Sequence, residues 1–308
     1  MAKWTTADMP SLHGRSVVVT GTGGLGFEDA LALARAGAEV IVAGRNPAKG
    51  AEALARIREA VPQANAGFEE LDLANLTSIA AFSERLRGTR ASLDVLINNA
   101  GVMVPPVRRV TSDGFELQFG TNYLGHFALT AGLMPLLRKG RDPRVVTISS
   151  VAARNGKIDF DNLQGERDYK PMAIYSQSKL ADLMFALELQ RRSDRGRWGV
   201  ASLAAHPGVS RTDLLPNGAG RSSIFGLTRR LFWFMFQPAA QGALPTLFAA
   251  TSPDARPGTY YGPDKMNEMR GHPAEAKLPP QAKDAEVAFR LWEVSERLCR
   301  VQFGWAAP

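Results

Sequence analysis

The chain has little cysteine and no long apolar run. These two features limit the classes of protein to which it can belong. Cys299 is the only cysteine, so an internal disulfide is excluded. This composition is typical of a reducing, cytoplasmic setting, and a chain of this length buries a substantial core without disulfides or bound metal. No stretch of about 18 apolar residues occurs, so a transmembrane helix is not predicted. Residues 1–15 also lack the apolar segment of a signal peptide.

Basic residues outnumber acidic ones, with 37 Lys and Arg against 30 Asp and Glu and a formal net charge of +7. Arginines cluster at 138–144 and 191–197, a pattern typical of solvated helix ends. Binding of a polyanionic ligand or an anionic surface is the alternative interpretation. Because no recognisable nucleic-acid-binding module accompanies the charge, a nucleic-acid partner is not predicted.

Short β-branched runs alternate with helical patterns up to residue 203. The runs are apolar throughout, which is typical of parallel strands covered by helices on both faces. We therefore predict a three-layer, doubly wound α/β (Rossmann) fold, in which ligands bind beyond the carboxyl ends of the strands. The predicted strands are 17–20, 40–43, 68–71, 95–97, 145–148 and 200–203, with helices at about 26–36 and 47–62 among those between them.

A single domain spanning 1–308 is predicted, because no linker divides the chain. Glycine, proline and aromatic residues increase after about Leu214, so 215–281 is interpreted as an excursion that covers the substrate. Residues 260–263 predict a short final strand and turn, and 285–300 predict an amphipathic helix. The cysteine in this helix is interpreted as a packing residue.

A glycine-rich segment follows the first predicted strand and opens the first predicted helix. Glycines let the backbone turn sharply and approach a pyrophosphate, and the helix N-terminus supplies free N–H groups. The segment fits the G-x-G-x-x-G pattern, although a tight structural turn is the alternative. The predicted cofactor-binding residues of this loop are Gly21, Thr22, Gly23, Gly24, Leu25 and Gly26.

The end of the second predicted strand carries a basic residue where an NAD-selective site usually has an acid. Arg45 can pair with a 2′-phosphate and lie over the adenine, whereas an acid would repel that phosphate. The sequence therefore favours NADP(H) over NAD(H). In the alternative interpretation, Arg45 simply caps the strand end at the surface.

Tyr175 and Lys179 begin a helical run and lie one turn apart on one face. A nearby ammonium stabilises a phenolate, which makes the tyrosine a proton donor to a carbonyl or an acceptor from an alcohol. The hydroxyl of Ser150, at the end of a predicted strand, could hold the substrate oxygen beside it. Asn122 lies inside a helical pattern, where asparagine is not favoured, and a tolerated polar position is the alternative.

The order of these motifs resembles that of the short-chain dehydrogenases/reductases. The resemblance runs from about Gly14 to Thr212, with a weaker tail to about Gly271. Residues 158–192 resemble the retinol dehydrogenase and protochlorophyllide reductase-like branch. The matching residues are the glycine loop, Asp72-Leu73, Asn98-Asn99-Ala100-Gly101, Asn122, Ser150, Tyr175 with Lys179, and His206-Pro207-Gly208 with Thr212.

The resemblance implies a role for each match. Tyr175 would be the general acid/base, and Lys179 would assist its ionisation and bind the nicotinamide ribose. Ser150 would position the carbonyl, and Asn122 would hold a water in a proton relay. The other matches imply cofactor contacts: Asp72 and Leu73 would flank the adenine, Asn99, Ala100 and Gly101 would line the cofactor, and Pro207, Gly208 and Thr212 would hold the nicotinamide.

Two departures from the family pattern stand out. The family loop is T-G-x-x-x-G-x-G, whereas this chain has T-G-x-x-G-x-G, which is one residue shorter. By spacing, Gly21, Gly24 and Gly26 are the equivalents, and the detailed phosphate contacts are left open. The second departure is Asp182, where this branch often has asparagine.

Residues 222–236 combine an apolar helical stripe with flanking phenylalanines and the arginines 229 and 230. A mobile lid over a bulky apolar substrate is one interpretation. A membrane-surface helix, which would give peripheral membrane contact, is the second. The third is a helix packed permanently on the core or on a dimer partner.

The sequence therefore predicts an NADP(H)-dependent enzyme that interconverts a hydrophobic, bulky ketone or aldehyde and its alcohol. The hydride would come from the cofactor, and the protein would supply geometry and protonation. A non-catalytic NADP(H)-binding protein that senses redox state is the alternative, supported by the shortened loop alone. Analogy with the family suggests a homo-oligomer.

Overall fold

The centre of the fold is an eight-stranded sheet. The computed structural model describes residues 3–210 and 237–303. The strands are β1 Ser16–Thr20, β2 Glu39–Gly44, β3 Ala66–Glu70, β4 Val95–Asn98, β5 Arg144–Ile148, β6 Ala201–Ala205, β7 Tyr260–Lys265 and β8 Arg270–Glu275. The α-helices of the described residues are α1 Gly24–Arg35, α2 Pro47–Ala60, α3 Leu76–Thr89, α4 Gly125–Leu137, α5 Pro171–Gly196, α6 Ala239–Thr251 and α7 Ala285–Cys299.

The strand order β3-β2-β1-β4-β5-β6-β7-β8 confirms the doubly wound fold. Neighbouring strands from β3 to β7 pair in parallel, and β8 pairs antiparallel to β7. The direction of winding changes between β1 and β4. A crevice opens beyond the carboxyl ends of strands at such a switch point, and this is where a ligand binds in open α/β sheets.

All six predicted strands are present, with ends that differ by one or two residues. The largest shifts are two residues, at the start of β3 and at the end of β6, which was predicted at 200–203 and runs from Ala201 to Ala205. Its last two residues pair with Tyr260 and Tyr261, a contact that no local pattern reveals. The prediction that 260–263 form the final strand was wrong, because β8 follows. β8 has the polar sequence RGHPAE and lies at the sheet edge, so it carries no apolar signal.

Two hydrophobic clusters cover the two faces of the sheet. On one face, α3, α4, α5 and α7 surround an aromatic group that includes Phe127, Phe185 and Trp292. On the other face, α1, α2 and α6 pack over β1 and β2. Both clusters are continuous along the sheet, which is why the described ranges form one domain.

The C-terminal helix α7 is confirmed. Asp284 caps its first turn, and Leu291 and Trp292 are among the residues of its buried face. Cys299 is buried beside the carbonyl oxygen of Leu124, and burial raises the pKa of its thiol to about 12. This cysteine is therefore a packing residue, as predicted.

The predicted excursion at 215–281 is built into the sheet where it is described. Residues 237–281 include α6, which packs against α1, and the hairpin β7–β8 at the sheet edge. Residues 211–236 lie outside the described ranges, and the predicted lid at 222–236 lies within them, so its covering role stays a prediction. Among the described helices, none is long and apolar enough to cross a membrane.

Candidate active site

The glycine loop lies between β1 and α1, and its backbone geometry depends on glycine. Gly21 and Gly24 have positive φ angles of 101° and 54°, which residues with side chains rarely adopt. A Cβ atom at Gly26 would lie 2.5 Å from Nδ2 of Asn99 and 2.7 Å from the carbonyl oxygen of Gly21. No described side chain caps α1 at Gly23. The loop thus presents free backbone N–H groups and the positive end of a helix dipole, which suits a pyrophosphate.

The hydroxyl of Thr20 ties the glycine loop to the end of β4. It accepts hydrogen bonds from the backbone N–H groups of Asn99 and Ala100, at 2.8 and 2.9 Å. The side chain of Asn99 donates to the carbonyl oxygen of Thr20 at 2.7 Å. Because β1 and β4 flank the switch point, the predicted cofactor residues Gly21, Asn99 and Ala100 meet at one crevice.

Arg45 directly follows β2, and its side chain is exposed. The glycine loop approaches this strand end, since a Cβ atom at Gly44 would lie 2.9 Å from Cγ2 of Thr22. Arg45 forms no hydrogen bond or ion pair with any residue in the described ranges, so its guanidinium is available to a ligand. The register of β2 and β3 places Glu70 beside Gly44, an acidic neighbour that the sequence analysis missed. This end of the crevice therefore has both a cation and an anion nearby.

Asp72 and Leu73 follow β3 at the same edge of the sheet. The carboxylate of Asp72 accepts a hydrogen bond from the N–H of Ala74 at 2.9 Å, which shapes the turn. Leu73 is buried under Gly125, where a Cβ atom would lie 2.4 Å from the carbonyl oxygen of Leu73. Their predicted role beside the adenine stays a prediction.

Asn122 lies in a π-helical turn, Phe119–Leu124, that leads into α4. Its Oδ1 accepts from the N–H of Val102 at 2.7 Å, and its Nδ2 donates to Oγ of Ser178 at 3.0 Å. Ser178 in turn donates to the carbonyl oxygen of Tyr175 at 2.8 Å. Asn122 therefore joins the loop after β4 to the helix that carries the predicted acid/base. Wide helical turns of this kind often occur at functional sites.

His126, one turn after Asn122, is a residue of this site that the sequence analysis missed. Its Nδ1 lies 2.7 Å from the carbonyl oxygen of Asn122, and its Nε2 lies 2.9 Å from the hydroxyl of Thr20. A carbonyl only accepts, so the contact with Asn122 assigns a hydrogen to Nδ1. Burial lowers the pKa of His126 to about 3; the charge of Lys179 acts in the same direction, against the hydrogen bond to Asn122. The neutral ring therefore accepts from Thr20 and links Asn122 to the glycine loop.

Two serines end β5 and hold different partners. Ser149 donates to the carbonyl oxygen of Lys179 at 2.6 Å, which attaches the strand end to α5. The half-buried Ser150 accepts from the N–H of Ala152 at 3.2 Å and keeps its own hydroxyl hydrogen to donate. Tyr260 of β7 donates to the carbonyl oxygen of Ser150 at 3.4 Å. Ser150 is thus positioned from two sides and can donate to a substrate oxygen.

Tyr175 and Lys179 lie one turn apart on α5, as predicted, and both side chains are buried. A Cβ atom at Gly101 would lie 3.1 Å from Oδ1 of Asn122 and 3.9 Å from Nζ of Lys179. The structure therefore brings together the loop after β4, the π-helical turn and α5. These three segments are separated in sequence but meet at the crevice.

Lys179 is held by two acceptors. Its Nζ donates to the carbonyl oxygen of Ile148 at 2.8 Å and to Oδ2 of Asp182 at 2.9 Å. Burial by itself lowers the pKa of Lys179, but the charges of Asp182 and Tyr175 and the hydrogen bond to Asp182 raise it above its ordinary value. Burial raises the pKa of Asp182 to about 7, against the opposing charge and hydrogen bond of Lys179.

The loop after β6 packs on the turn of the β7–β8 hairpin. Gly208 has a φ of 62°, and a Cβ atom there would lie 2.3 Å from the carbonyl oxygen of Met269. Val209 donates to the same oxygen at 2.8 Å, and Pro207 accepts from the side chain of Gln237 at 2.6 Å. These contacts place Pro207 and Gly208 at the carboxyl edge of the sheet. Thr212 lies outside the described residues.

An ionic cluster supports this loop, and its members were not predicted. Nε2 of His206 donates to Glu268 at 3.2 Å, and Arg154 forms an ion pair with the same carboxylate. Burial alone would raise the pKa of Glu268, but hydrogen bonds from His206 and the backbone of Lys277, with the charge of Arg154, lower it to about 2. The cluster fastens the segment after Ser150 to the β7–β8 hairpin. Nothing local in the sequence connects residues so far apart.

The crevice fits a dinucleotide better than a metal ion. A Cβ atom at Gly21 or Gly26 would lie 2.9 or 2.5 Å from Nδ2 of Asn99, so both glycines let this loop pack against the residues that follow β4. Across residues 3–210 and 237–303, no group of His, Cys, Asp or Glu side chains is arranged to hold a metal. The glycine loop and the uncapped N-terminus of α1 suit a dinucleotide, and the roles of the side chains around them stay predictions.

Known proteins are similar to this chain over most of its length. The chain is 40% identical over 303 residues to retinol dehydrogenase 14 of Mus musculus, covering 92% of this chain and 86% of that protein. It is 39% identical over 296 residues to the polyprenol dehydrogenase of Mus musculus, covering 94% and 85%. A crystal structure of an uncharacterised protein from Mycobacterium paratuberculosis superposes with a TM-score of 0.82 at 39% identity, covering 99% of this chain and 100% of that one.

The sequence itself also matches a described family over most of its length. Residues 15–219 match the short chain dehydrogenase family. This range contains the glycine loop, the π-helical turn with Asn122, and the α5 residues Tyr175 and Lys179. With the relatives above, it shows that the chain belongs to the short-chain dehydrogenase/reductase family of nicotinamide-dependent oxidoreductases.

Proposed function

We propose that the chain interconverts a hydrophobic, bulky alcohol and its ketone or aldehyde, with NADP(H) as the preferred cofactor. The observation that carries this proposal is the meeting of Gly101, Asn122 and Lys179 at the crevice, with Tyr175 one turn away on α5. A lysine ammonium beside a buried phenol makes proton transfer to or from a substrate oxygen feasible near neutral pH.

In the proposed reaction, each polar side chain has a defined task. Tyr175 donates its phenolic proton to the carbonyl oxygen in reduction and accepts it back in oxidation. Ser150 donates its free hydroxyl hydrogen to the same oxygen and orients it. Lys179 stabilises the phenolate, and Asn122 holds α5 against the loop after β4.

The glycine loop and the strand end at Arg45 are proposed to hold the cofactor. When bound, NADP(H) supplies or accepts the hydride. The N-terminus of α1 would face the pyrophosphate, and the unpaired guanidinium of Arg45 would bind the 2′-phosphate. The main-chain carbonyl oxygen of Asn122, which accepts from Nδ1 of His126, is where the predicted water relay would attach.

Two lines support an apolar substrate. Two of the most similar relatives are named as dehydrogenases of retinol and polyprenol, which are long apolar alcohols. In this chain, Val107, Val110, Met172 and Met266 are large apolar side chains that remain exposed, and they lie on the loop after β4, at the start of α5 and on the β7–β8 turn. These segments flank the crevice, so their apolar side chains would line its approach.

Turnover of a panel of alcohols and carbonyls tests the proposal. The panel contains retinoid, polyisoprenoid, steroid, aryl and short aliphatic compounds, with NADP⁺ or NADPH in each assay. We expect turnover with the long apolar compounds, and we expect the Tyr175→Phe variant to lose about 10³-fold or more of kcat. The same variant should bind NADPH as the wild type does, measured by fluorescence titration.

The outcomes separate the competing ideas. Unchanged turnover in Tyr175→Phe would sink the assigned mechanism. Tight NADPH binding without turnover of any compound would favour the non-catalytic redox sensor instead.

The cofactor preference has its own test. Arg45→Asp should weaken NADPH binding by about 10-fold or more and leave NADH binding nearly unchanged, because only NADPH carries the 2′-phosphate. Glu70→Gln is the matched control on the neighbouring strand, and it should leave NADPH binding unchanged or tighten it. Equal losses for both cofactors in Arg45→Asp would show that Arg45 does not bind the 2′-phosphate.

A cytoplasmic location, a homo-oligomeric state and peripheral membrane contact also stay predictions. The described residues of this single chain do not bear on any of the three.

A further inference from the structure

Asp182 lies on α5 one turn after Lys179 and is buried with it. The side chain of Lys179 is 6% exposed and that of Asp182 is 2% exposed. Nζ of Lys179 lies 2.9 Å from Oδ2 of Asp182. Within the described part of the chain, the other acceptor of the ammonium is the carbonyl oxygen of Ile148, the last residue of β5. The carboxylate and this carbonyl therefore hold the ammonium at the carboxyl edge of the sheet.

The second oxygen of Asp182 does not help the fold. Oδ1 is buried and has no hydrogen-bond partner in the described part of the chain. A buried carboxylate with an unpaired oxygen costs free energy, and asparagine would accept the same hydrogen bond from Lys179 without the charge. The negative charge of Asp182 therefore acts mainly on Lys179.

Few other charges reach this pair. Tyr123, in the π-helical turn, interacts with Asp182 but stays a neutral phenol, because burial raises its pKa far above the ordinary value. His126, on α4, interacts with Lys179 and is neutral. Tyr175 is the remaining ionisable side chain that interacts with the ammonium among the described residues. A change of charge at Asp182 is therefore felt by Lys179 and, through it, by Tyr175.

We propose that Asp182 is a positioning residue that holds Lys179 and offsets its charge, so that Tyr175 ionises at a higher pH than it would beside an unpaired lysine. This inference rests on the proposed function, in which Tyr175 is the acid/base. With Asp182 ionised, the lysine and aspartate together carry no net charge, and the phenolate gains less stabilisation. The ion pair then favours the phenolate less than an unpaired lysine would, which favours the direction in which Tyr175 donates its proton to a carbonyl.

Protonation of Asp182 removes the negative charge that offsets Lys179. Burial raises the pKa of this carboxyl to about 7, and Lys179 remains charged at that pH because its own pKa is raised. Below neutral pH the pair therefore gains a net positive charge, and above neutral pH it loses that charge. The offset therefore depends on the protonation state of Asp182 and changes around neutral pH.

A spectroscopic titration of the whole chain, without cofactor or substrate, tests the proposal independently of turnover. Phenolate formation is followed by ultraviolet absorbance, and the signal of Tyr175 is the difference between each protein and its Tyr175→Phe counterpart. Burial raises the pKa of Tyr169 to about 12, and those of Tyr123 and Tyr260 still higher, so these phenols ionise late. In Asp182→Asn, the midpoint of the Tyr175 signal should fall by about one pH unit.

Three variants make the titration decisive. Asp182→Glu keeps the charge and should leave the midpoint close to that of the wild type. Asp182→Thr also removes the charge and should repeat the shift, so the test does not depend on the folding of one variant. Asp29→Asn removes a different buried carboxyl, on α1 at the other face of the sheet, and should leave the midpoint unchanged.

The pH–rate profile of alcohol oxidation provides the second readout. Its acid limb, measured on kcat with NADP⁺, should move to lower pH in Asp182→Asn by the same amount as the absorbance midpoint. A midpoint unchanged in both neutral variants, with native circular dichroism, would overturn the proposal and leave Asp182 with a structural role. If the wild type turns over no compound of the panel, the proposed function fails, and the absorbance titration still decides the electrostatic offset.

Discussion

Two buried aspartates lie on opposite faces of the sheet and differ in what they meet. Asp182, on α5, is 1% exposed and forms an ion pair with Lys179. Asp29, on α1, is fully buried, and neither of its carboxylate oxygens has a hydrogen-bond partner within the described ranges. Burial raises the pKa of Asp29 well above the ordinary value, and the neighbouring charge of Glu28 adds to this effect.

The comparison separates a buried carboxyl that acts on a neighbouring charge from one that only lowers the stability of the fold. The charge of Asp182 is compensated and acts on the lysine beside the proposed acid/base. Asp29 has no cation to pair with among the described residues, so folding favours its protonated form and shifts its ionisation to higher pH than in the unfolded chain. Helix α1 carries the glycine loop at its start, and a residue that destabilises α1 lies one turn beyond that loop.

The largest effect is expected when Lys179 is removed, because Asp182 then loses its partner. Lys179→Met should abolish turnover and lower the free energy of unfolding by about 3–5 kcal/mol at pH 8. The loss should be smaller at pH 5, where the carboxyl of Asp182 is protonated and needs no counter-charge. Urea unfolding at both pH values measures it.

The matched control is the double variant Lys179→Met/Asp182→Leu, which removes both members of the ion pair. It should recover most of the stability and none of the activity, since apolar replacement of a whole buried pair is often neutral. A double variant no more stable than Lys179→Met would show that the pair does not behave as one unit.

A smaller effect of opposite sign is expected at the unpaired carboxyl. Asp29→Ala should raise the free energy of unfolding by about 1–3 kcal/mol at pH 8, because it removes a buried polar group without partners. A carboxyl whose pKa is raised in the fold stabilises below its unfolded pKa of about 3.9, and that contribution is lost as the pH rises. The advantage of Asp29→Ala should therefore shrink as the pH falls from 8 to 4.

Asp29→Asn is the control for that prediction. It keeps the shape of the side chain and removes its titration, so the difference in free energy of unfolding between Asp29→Asn and Asp29→Ala should not depend on pH, while part of the cost of burying a polar group remains. If Asp29→Ala is instead less stable than the wild type at pH 8, the carboxyl has a partner that the described residues do not include, and the contrast with Asp182 fails.

The strands and the early helices could be predicted because their signals are local. Val17, Val40 and Val95 belong to short apolar runs that are each bounded by turn residues. The sequence around each of them therefore predicts a central strand. β8 could not be found in this way. Its residues are polar, and they form a strand only because β7 offers them an edge to pair with.

The site divides along the same line. The proximity of Tyr175 and Lys179 was predictable because a helix sets their spacing. The other candidate residues came from the order of motifs that the chain shares with the family. His126 and Glu268 were missed because each depends on partners from other segments: Thr20 for the first and Arg154 for the second. The sequence identified Asp182 as a departure from the family pattern. Only the structure shows that its side chain forms an ion pair with Lys179.

The sequence alone therefore determined the order of strands and helices along the chain, the glycine loop, and the spacing of Tyr175 and Lys179 on one helix face, since these follow from local periodicity and motif spacing. Tertiary structure decided which charges meet. It paired Asp182 with Lys179, left Asp29 without a partner, and placed Glu70 beside the strand end that carries Arg45. The physical reason is that burial and distance set the strength of a charge, and both arise only when distant segments pack together.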